Sequence, residues 1–89
     1  MSFTPSNAIL IGSPLEIHYS GTVVILKLDN LQISKGADLI ITEPHHFRKV
    51  RVVDIQLDGK PVTQATNGVV GVKLDSCVSL TSQIWIPTS

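Results

Sequence analysis

The segments that decide the fold are residues 50–57 (VRVVDIQL), 58–61 (DGKP), 67–68 (NG) and 69–74 (VVGVKL), which follow one another closely in this chain of 89 residues. Their order predicts a strand, a turn, a bend and a second strand, because β-branched residues favour extended backbone and Gly-containing pairs favour reversals. Strands this short can satisfy their backbone donors and acceptors only by pairing with one another. The stretch therefore predicts a small all-β sandwich or barrel.

Short apolar segments separated by glycine and proline recur through the rest of the chain. None has the length and the 3.6-residue period of an amphipathic α-helix. We count about six or seven strands, of which the clearest outside the opening stretch are residues 9–11, 22–28, 39–41 and 84–86. Six or more short strands would leave exposed edges in an open sheet. Closure of the sheet on itself is therefore favoured.

Several positions predict local departures from regular strands. The alternation of residues 47–57 slips at Val52-Val53, which predicts a β-bulge, and Gly36 predicts a tight turn with positive φ. Asp29-Asn30 predicts a turn, and the spacing of Val62 and Ala65 would suit a single helical or 3₁₀ turn within residues 60–66. Gly71, inside an apolar strand, predicts a close approach of neighbouring backbone or a bend of the sheet.

The composition indicates one domain with a weakly charged surface. Seven basic residues balance seven acidic ones, so no long-range field attracts nucleic acid or an acidic membrane. Charged residues make up 16% of the chain and apolar residues 43%, which is more apolar side chain than a small barrel hides easily. We therefore expect part of the surface to be covered by a partner or by a second copy in a homo-oligomer.

The domain is predicted to span residues 8–89, preceded by a loosely ordered lead-in at residues 1–7 that is polar and contains a proline. No apolar run approaches the length needed to cross a bilayer, so we expect no membrane association. The single cysteine, Cys77, cannot form an internal disulfide and favours a reducing, cytoplasmic location.

Two sequence patterns resemble a known family. Residues 33–41 (ISKGADLII) are similar to its strand, Gly-Asp turn and apolar strand, with one extra residue between glycine and aspartate. Residues 55–56 (IQ), 58–59 (DG), 61–62 (PV), Ala65, Gly68 and residues 70–74 (VGVKL) are similar to its second pattern. The chain thus resembles the second domain of translational GTPases such as elongation factor Tu, and standalone translation-factor-like barrel proteins.

The resemblance covers residues 11–86 and implies a closed six-stranded Greek-key barrel. It also implies an adaptor module, since that domain contacts the GTPase domain, the ribosome and the acceptor end of aminoacyl-tRNA. The matched residues are turns, glycines and core positions. They therefore imply a fold and identify no catalytic or binding residue. The family's repeated Gly-Asp before the last strand is replaced here by residues 80–83 (LTSQ).

One local concentration of positive charge is a candidate contact for a partner or RNA. We call it the basic strip, and it consists of His45, His46, Phe47, Arg48, Lys49 and Arg51. Along a strand, Phe47, Lys49 and Arg51 share one face and Arg48 lies on the other. The strip would suit RNA phosphates beside an aromatic ring on which a base can stack, or an acidic protein. A solubilising edge strand would use the same residue types.

No pattern indicates catalysis. A phosphate-binding Gly-x-x-x-x-Gly-Lys-Ser/Thr loop is lacking, and no Gly-x-Ser-x-Gly elbow is present. His45-His46 with His18 and Cys77 lacks the paired short spacings of a metal site, and Cys77 is expected to be a buried or half-buried small apolar residue. Trp85 is expected in the core or at a barrel rim, with a partner for its indole N–H if buried. We expect no enzymatic activity, no cofactor and no metal.

These observations lead to two functional hypotheses. The first is a non-catalytic binding or adaptor module associated with translation or RNA modification, using the basic strip on tRNA or a ribosomal component. The alternative is a purely protein–protein or self-association module that docks onto an enzyme domain without binding RNA.

Overall fold

Eight β-strands and one short 3₁₀ turn make up the computed structural model, which describes residues 7–44 and 46–87. The strands are β1 (Ala8–Gly12), β2 (Glu16–His18), β3 (Val23–Ser34), β4 (Asp38–Glu43), β5 (His46–Leu57), β6 (Lys60–Val62), β7 (Gln64–Leu74) and β8 (Gln83–Pro87). The 3₁₀ turn is Tyr19–Gly21. The all-β prediction is confirmed, and β2 and β6, each of three residues, raise the count above six or seven. The predicted lead-in falls almost entirely on residues 1–6, which lie outside the described residues.

All strand pairs are antiparallel, and the strand order is β1-β8-β4-β5-β7-β3-β2. The first half of β5 pairs with β4 and its last three residues pair with β6, while β7 runs along its other edge. The sheet curls into a half-barrel. Among residues 7–44 and 46–87, no helix has the length and hydropathy needed to cross a membrane.

The core lies on the concave side of the curled sheet. In β3, Val24, Leu26 and Leu28 are buried in alternation, and β7 supplies Val70 and Val72 from across the ladder. Each such aliphatic side chain stabilises the fold by about 1.5–3 kcal/mol on full burial. The period-two pattern of the sequence therefore decides which face of the sheet is inward.

The predicted bulge in β5 is confirmed. Val52 pairs with Leu74 and Asp54 pairs with Lys73, so Val53 is the extra residue, and it is exposed. Val52 before the bulge and Ile55 after it are both buried. The extra residue reverses the alternation, so both halves of β5 keep apolar side chains in the core although their sequence periods differ by one.

The predicted turn at Asp29-Asn30 is wrong, because β3 continues through it as a strand with an irregular register between Asp29 and Ile33. Asn30 has φ of 58°, and its backbone N–H donates to Asn67 Oδ1 at 2.8 Å. Asparagine tolerates the left-handed conformation, so the residue that suggested a reversal produces a bulge.

The expected helical or 3₁₀ turn at residues 60–66 is also wrong. These residues form β6 and the start of β7, joined to β5 by a two-residue hairpin in which Asp58 has φ of 53° and Gly59 φ of 75°. The Asp-Gly pair favours this hairpin turn, and the hairpin holds Val62 opposite Ile55. Cross-strand pairing therefore overrides the three-residue spacing of Val62 and Ala65.

Gly21 is the glycine whose lack of a side chain the packing requires most clearly. Its φ is 94°, and a Cβ added there would overlap the carbonyl oxygen of Val78. The backbone N–H of Val78 donates to the Gly21 carbonyl oxygen at 3.0 Å. The segment before β8 is thus joined to the Tyr19–Gly21 turn through a close backbone contact.

We predict that Gly21→Ala lowers the free energy of unfolding by about 3 kcal/mol, from left-handed strain and the clash with Val78 together. Gly36→Ala is the matched control, because Gly36 has φ of 87° with open space around it; we expect about 1 kcal/mol from strain alone. Urea denaturation measures both values. Equal losses in the two variants would contradict the role given to the Val78 contact.

Candidate functional site

The basic strip lies at the start of β5, with its members divided between the two faces of the strand. Phe47, Lys49 and Arg51 are exposed and alternate with half-buried Arg48 and buried Val50. This is the distribution that strand alternation predicts. His45 lies outside the described residues.

Carboxylates of the same chain engage most cations of the strip. Glu43 Oε1 lies 3.1 Å from His46 Nε2 and 3.3 Å from Arg48 Nε. Arg48 Nη2 also donates to the carbonyl oxygen of Cys77. This arrangement ties the β4–β5 connection to the segment before β8 and leaves Arg48 with internal partners.

Arg51 is held by two aspartates. Its Nε lies 3.7 Å from Asp38 Oδ1, and its backbone N–H donates to Asp75 Oδ1 at 2.9 Å. Lys49 forms no ion pair with any described residue. Among its described residues, the strip therefore offers one cation without an ion pair, Lys49, in place of the continuous positive track that its sequence indicates.

An apolar surface on the convex side of the sheet lies beside Lys49. Register places Leu10 beside Trp85, Trp85 beside Ile40, and Ile40 beside Lys49. Leu10 is 43% exposed, whereas Trp85 is 8% exposed. We call this surface, with Phe47 at 52% exposure, the Trp85 patch.

The expectation that a buried Trp85 needs a partner for its indole N–H is confirmed. Trp85 Nε1 donates to Thr42 Oγ1 at 2.9 Å, and Thr42 is itself buried. The hydroxyl satisfies a donor that would otherwise destabilise the fold when removed from water. The bond also joins β8 to β4 across the patch and so fixes the indole ring.

A groove of about 830 Å³ lies on the convex side of the other half of the sheet, and we call it the Tyr19 groove. Its residues form two rows across the strands. One row is His18, Val23, Lys73 and Asp54, and the next contains Ile25, Gly71 and Gln56. The β5 residues that line the groove lie after the bulge, whereas the β5 residues of the basic strip lie before it.

Gly71 forms the floor of the groove. An added Cβ there would lie 3.6 Å from Ile25 Cδ1, an ordinary contact, and its φ is not in the left-handed region. Of the two alternatives predicted for Gly71, the close backbone approach is therefore wrong, since the neighbour is a side chain from the paired strand. The missing side chain leaves a depression between Ile25 and Gln56, which flank Gly71 in the register.

The wall of the groove carries an exposed aromatic residue on strained backbone. Tyr19 has φ of 52° and Ser20 φ of 59°, and Tyr19 is 81% exposed. The backbone N–H and the Oγ1 of Thr22 both donate to the Tyr19 carbonyl oxygen, at 3.3 and 2.9 Å. Left-handed backbone is costly for a bulky residue, and such strain concentrates at functional sites.

The groove carries charges of both signs. Lys35 Nζ lies 3.6 Å from Asp54 Oδ1, so this carboxylate is already paired at the rim. Lys73, next to Asp54 in the register, forms no ion pair with a described residue. The lining therefore offers hydrogen-bond donors and acceptors together and no concentrated charge.

Sequence reasoning identified the strip and missed the groove. The signals available were Gly71 inside a strand and the turn at Tyr19–Gly21, but His18, Lys73 and Asp54 belong to three different strands. Cys77 is exposed, so its expected burial is wrong. Within residues 7–44 and 46–87, no group of three or more His, Cys, Asp or Glu residues is placed to hold a metal ion.

Comparisons with protein-family models, with curated proteins and with solved structures found no match to this chain.

We predict that Tyr19→Asn raises the free energy of unfolding by about 1 kcal/mol, because asparagine tolerates left-handed backbone better than tyrosine. Tyr19→Phe keeps the ring and the strain and is the control, with no expected change. Thermal and urea unfolding measure the two variants. A loss of stability in Tyr19→Asn would mean that the ring contributes more packing than its exposure indicates.

Proposed function

We propose that the protein is a non-catalytic binding module that contacts a protein partner through the Trp85 patch. The supporting observation is the pairing of the strip cations within the chain. Glu43 engages His46 and Arg48, and Asp38 engages Arg51. A nucleic-acid phosphate would have to compete with these carboxylates, and phosphate binding rests on several available cations.

The composition of the patch supports a protein partner. Phe47 and Leu10 present about half of their surface, next to a fixed Trp85 and with Lys49 at the border. Protein interfaces combine an aromatic and aliphatic centre with a polar rim in this way. We infer that the partner presents an apolar surface with a carboxylate opposite Lys49.

RNA binding in translation or RNA modification is the second candidate. It is favoured by the exposed ring of Phe47 on the same strand face as Lys49 and Arg51, because bases stack on such rings. The resemblance to the elongation-factor barrel favours the same function. Self-association through the patch would equally cover Leu10 and Phe47.

We predict that Phe47→Ala weakens capture of the partner by at least about tenfold, as expected for the most exposed aromatic contact of the patch. Lys49→Glu weakens it less, through the association rate, because Lys49 is at the rim. Lys60→Glu is the matched control, since Lys60 is an exposed lysine in the β5–β6 hairpin. Affinity capture from nuclease-treated extract, followed by rebinding to the purified partner, measures these effects.

The same experiment separates the candidates. If a bound protein is retained after nuclease treatment by the unsubstituted chain and is lost in Phe47→Ala, the protein partner is supported. Loss of all bound material on nuclease treatment, with direct tRNA binding that weakens steeply with salt, supports RNA and contradicts the first proposal. Sedimentation of the purified protein at increasing concentration tests self-association, which Phe47→Ala would abolish.

We further propose that the curled sheet closes as a six-stranded Greek-key barrel, with β2 and β6 as short additions. The six longer strands follow the order β1-β8-β4-β5-β7-β3, and β1 also contacts β3. Backbone nuclear Overhauser effects between β1 and β3 in solution would support closure. Rapid hydrogen exchange along β1 without such effects would contradict it.

A further inference from the structure

We infer that the Tyr19 groove binds a neutral saccharide. The groove is open and about 830 Å³ in volume, which suits a short oligosaccharide lying along the sheet. Its floor at Gly71 has no side chain, so a flat ring can approach the backbone of β7 with Ile25 at its side. This shape favours a flat, extended ligand.

Tyr19 supplies the apolar wall that such a ligand requires. The Tyr19–Gly21 turn holds the ring at the groove on left-handed backbone, with two hydrogen bonds from Thr22 to the Tyr19 carbonyl oxygen. A free ring at 81% exposure contributes little packing to the fold. Its face is complementary to the C–H face of a sugar ring, and its hydroxyl can pair with a sugar hydroxyl.

The polar lining indicates a ligand without charge. An anion held by Lys73 would lie beside Asp54, and a cation held by Asp54 would lie beside Lys73 and Lys35. Hydroxyl groups both donate and accept, which matches the amide of Gln56 and the imidazole of His18 as well as both charged groups. A polyhydroxylated neutral ligand can therefore form hydrogen bonds with donors and acceptors of both rows.

The groove is independent of the Trp85 patch. It is built from β2, β3, β7 and the end of β5, whereas the patch is built from β1, β8, β4 and the start of β5. Failure of one proposal leaves the other intact. Lys49 lies at the border of the patch and outside the groove, so we expect Lys49→Glu to leave saccharide binding unchanged.

The test is a titration of the ¹⁵N-labelled protein with maltotriose and with N,N′,N″-triacetylchitotriose, both uncharged, to about 20 mM, which detects dissociation constants in the millimolar range. We expect at least one of the two to shift the amide signals of His18, Gly71 and Lys73 in a saturable manner. Inorganic phosphate is the charged comparison and should not shift them. Absence of shifts with both saccharides, or the same shifts with phosphate, overturns the inference.

Gly71→Val is the decisive variant, because it fills the floor without a backbone clash and adds a residue that strands favour. It should keep a dispersed spectrum and lose binding at least tenfold. Tyr19→Asn should also lose binding at least tenfold, and Tyr19→Phe should retain it within about threefold, since the ring face remains. Unchanged binding in Gly71→Val and Tyr19→Asn overturns the inference.

Discussion

The structure depends on one constraint, which is that the long strands must place the apolar side chains that form the core on the concave side of a curled sheet. Val52 and Ile55 can both meet this requirement only because Val53 is an extra residue in β5. Without the bulge, either half of the strand would place its apolar set in water. The bulge also reverses which residues of β5 face outward, and so divides the convex surface into the Trp85 patch before it and the Tyr19 groove after it.

Several charged side chains of the basic strip and the groove are paired with a neighbouring charge of the opposite sign. Glu43 and Asp38 pair with two arginines of the strip, and Asp54 of the groove pairs with Lys35, whereas Lys49 and Lys73 form no ion pair with a described residue. Exposed ion pairs of this kind add little to stability. Their consequence is for recognition, because they leave few unpaired charges among the described residues of the strip and the groove, and a partner contacts mainly hydrogen-bonding groups and apolar side chains. This favours binding by shape and apolar contact over binding by long-range attraction.

The Tyr19–Gly21 turn before β3 contains one residue that the packing of the fold requires and one residue that we assign to ligand binding. Gly21 fits against Val78 because it has no side chain, and the same turn holds Tyr19 and Ser20 on left-handed backbone. Glycine or asparagine would adopt the Tyr19 conformation at lower cost, so local stability does not account for tyrosine there. The strained residue is also the exposed aromatic residue of the groove, and a binding role explains both properties at once.

The sequence by itself determined the all-β class, the turn at Asp58-Gly59, the turn at Gly36 and the bulge at Val53, because each follows from the conformational preferences of a few adjacent residues. It did not predict that β6 follows the Asp58-Gly59 turn as the second strand of a hairpin. It misplaced the turn at Asp29-Asn30, since a left-handed asparagine suits a bulge as well as a reversal. Only the tertiary structure decided that Arg51 meets Asp75 and that His18, Lys73 and Asp54 share one groove. The physical reason is that these contacts depend on strand order and register between segments far apart in the chain, which local preferences do not encode.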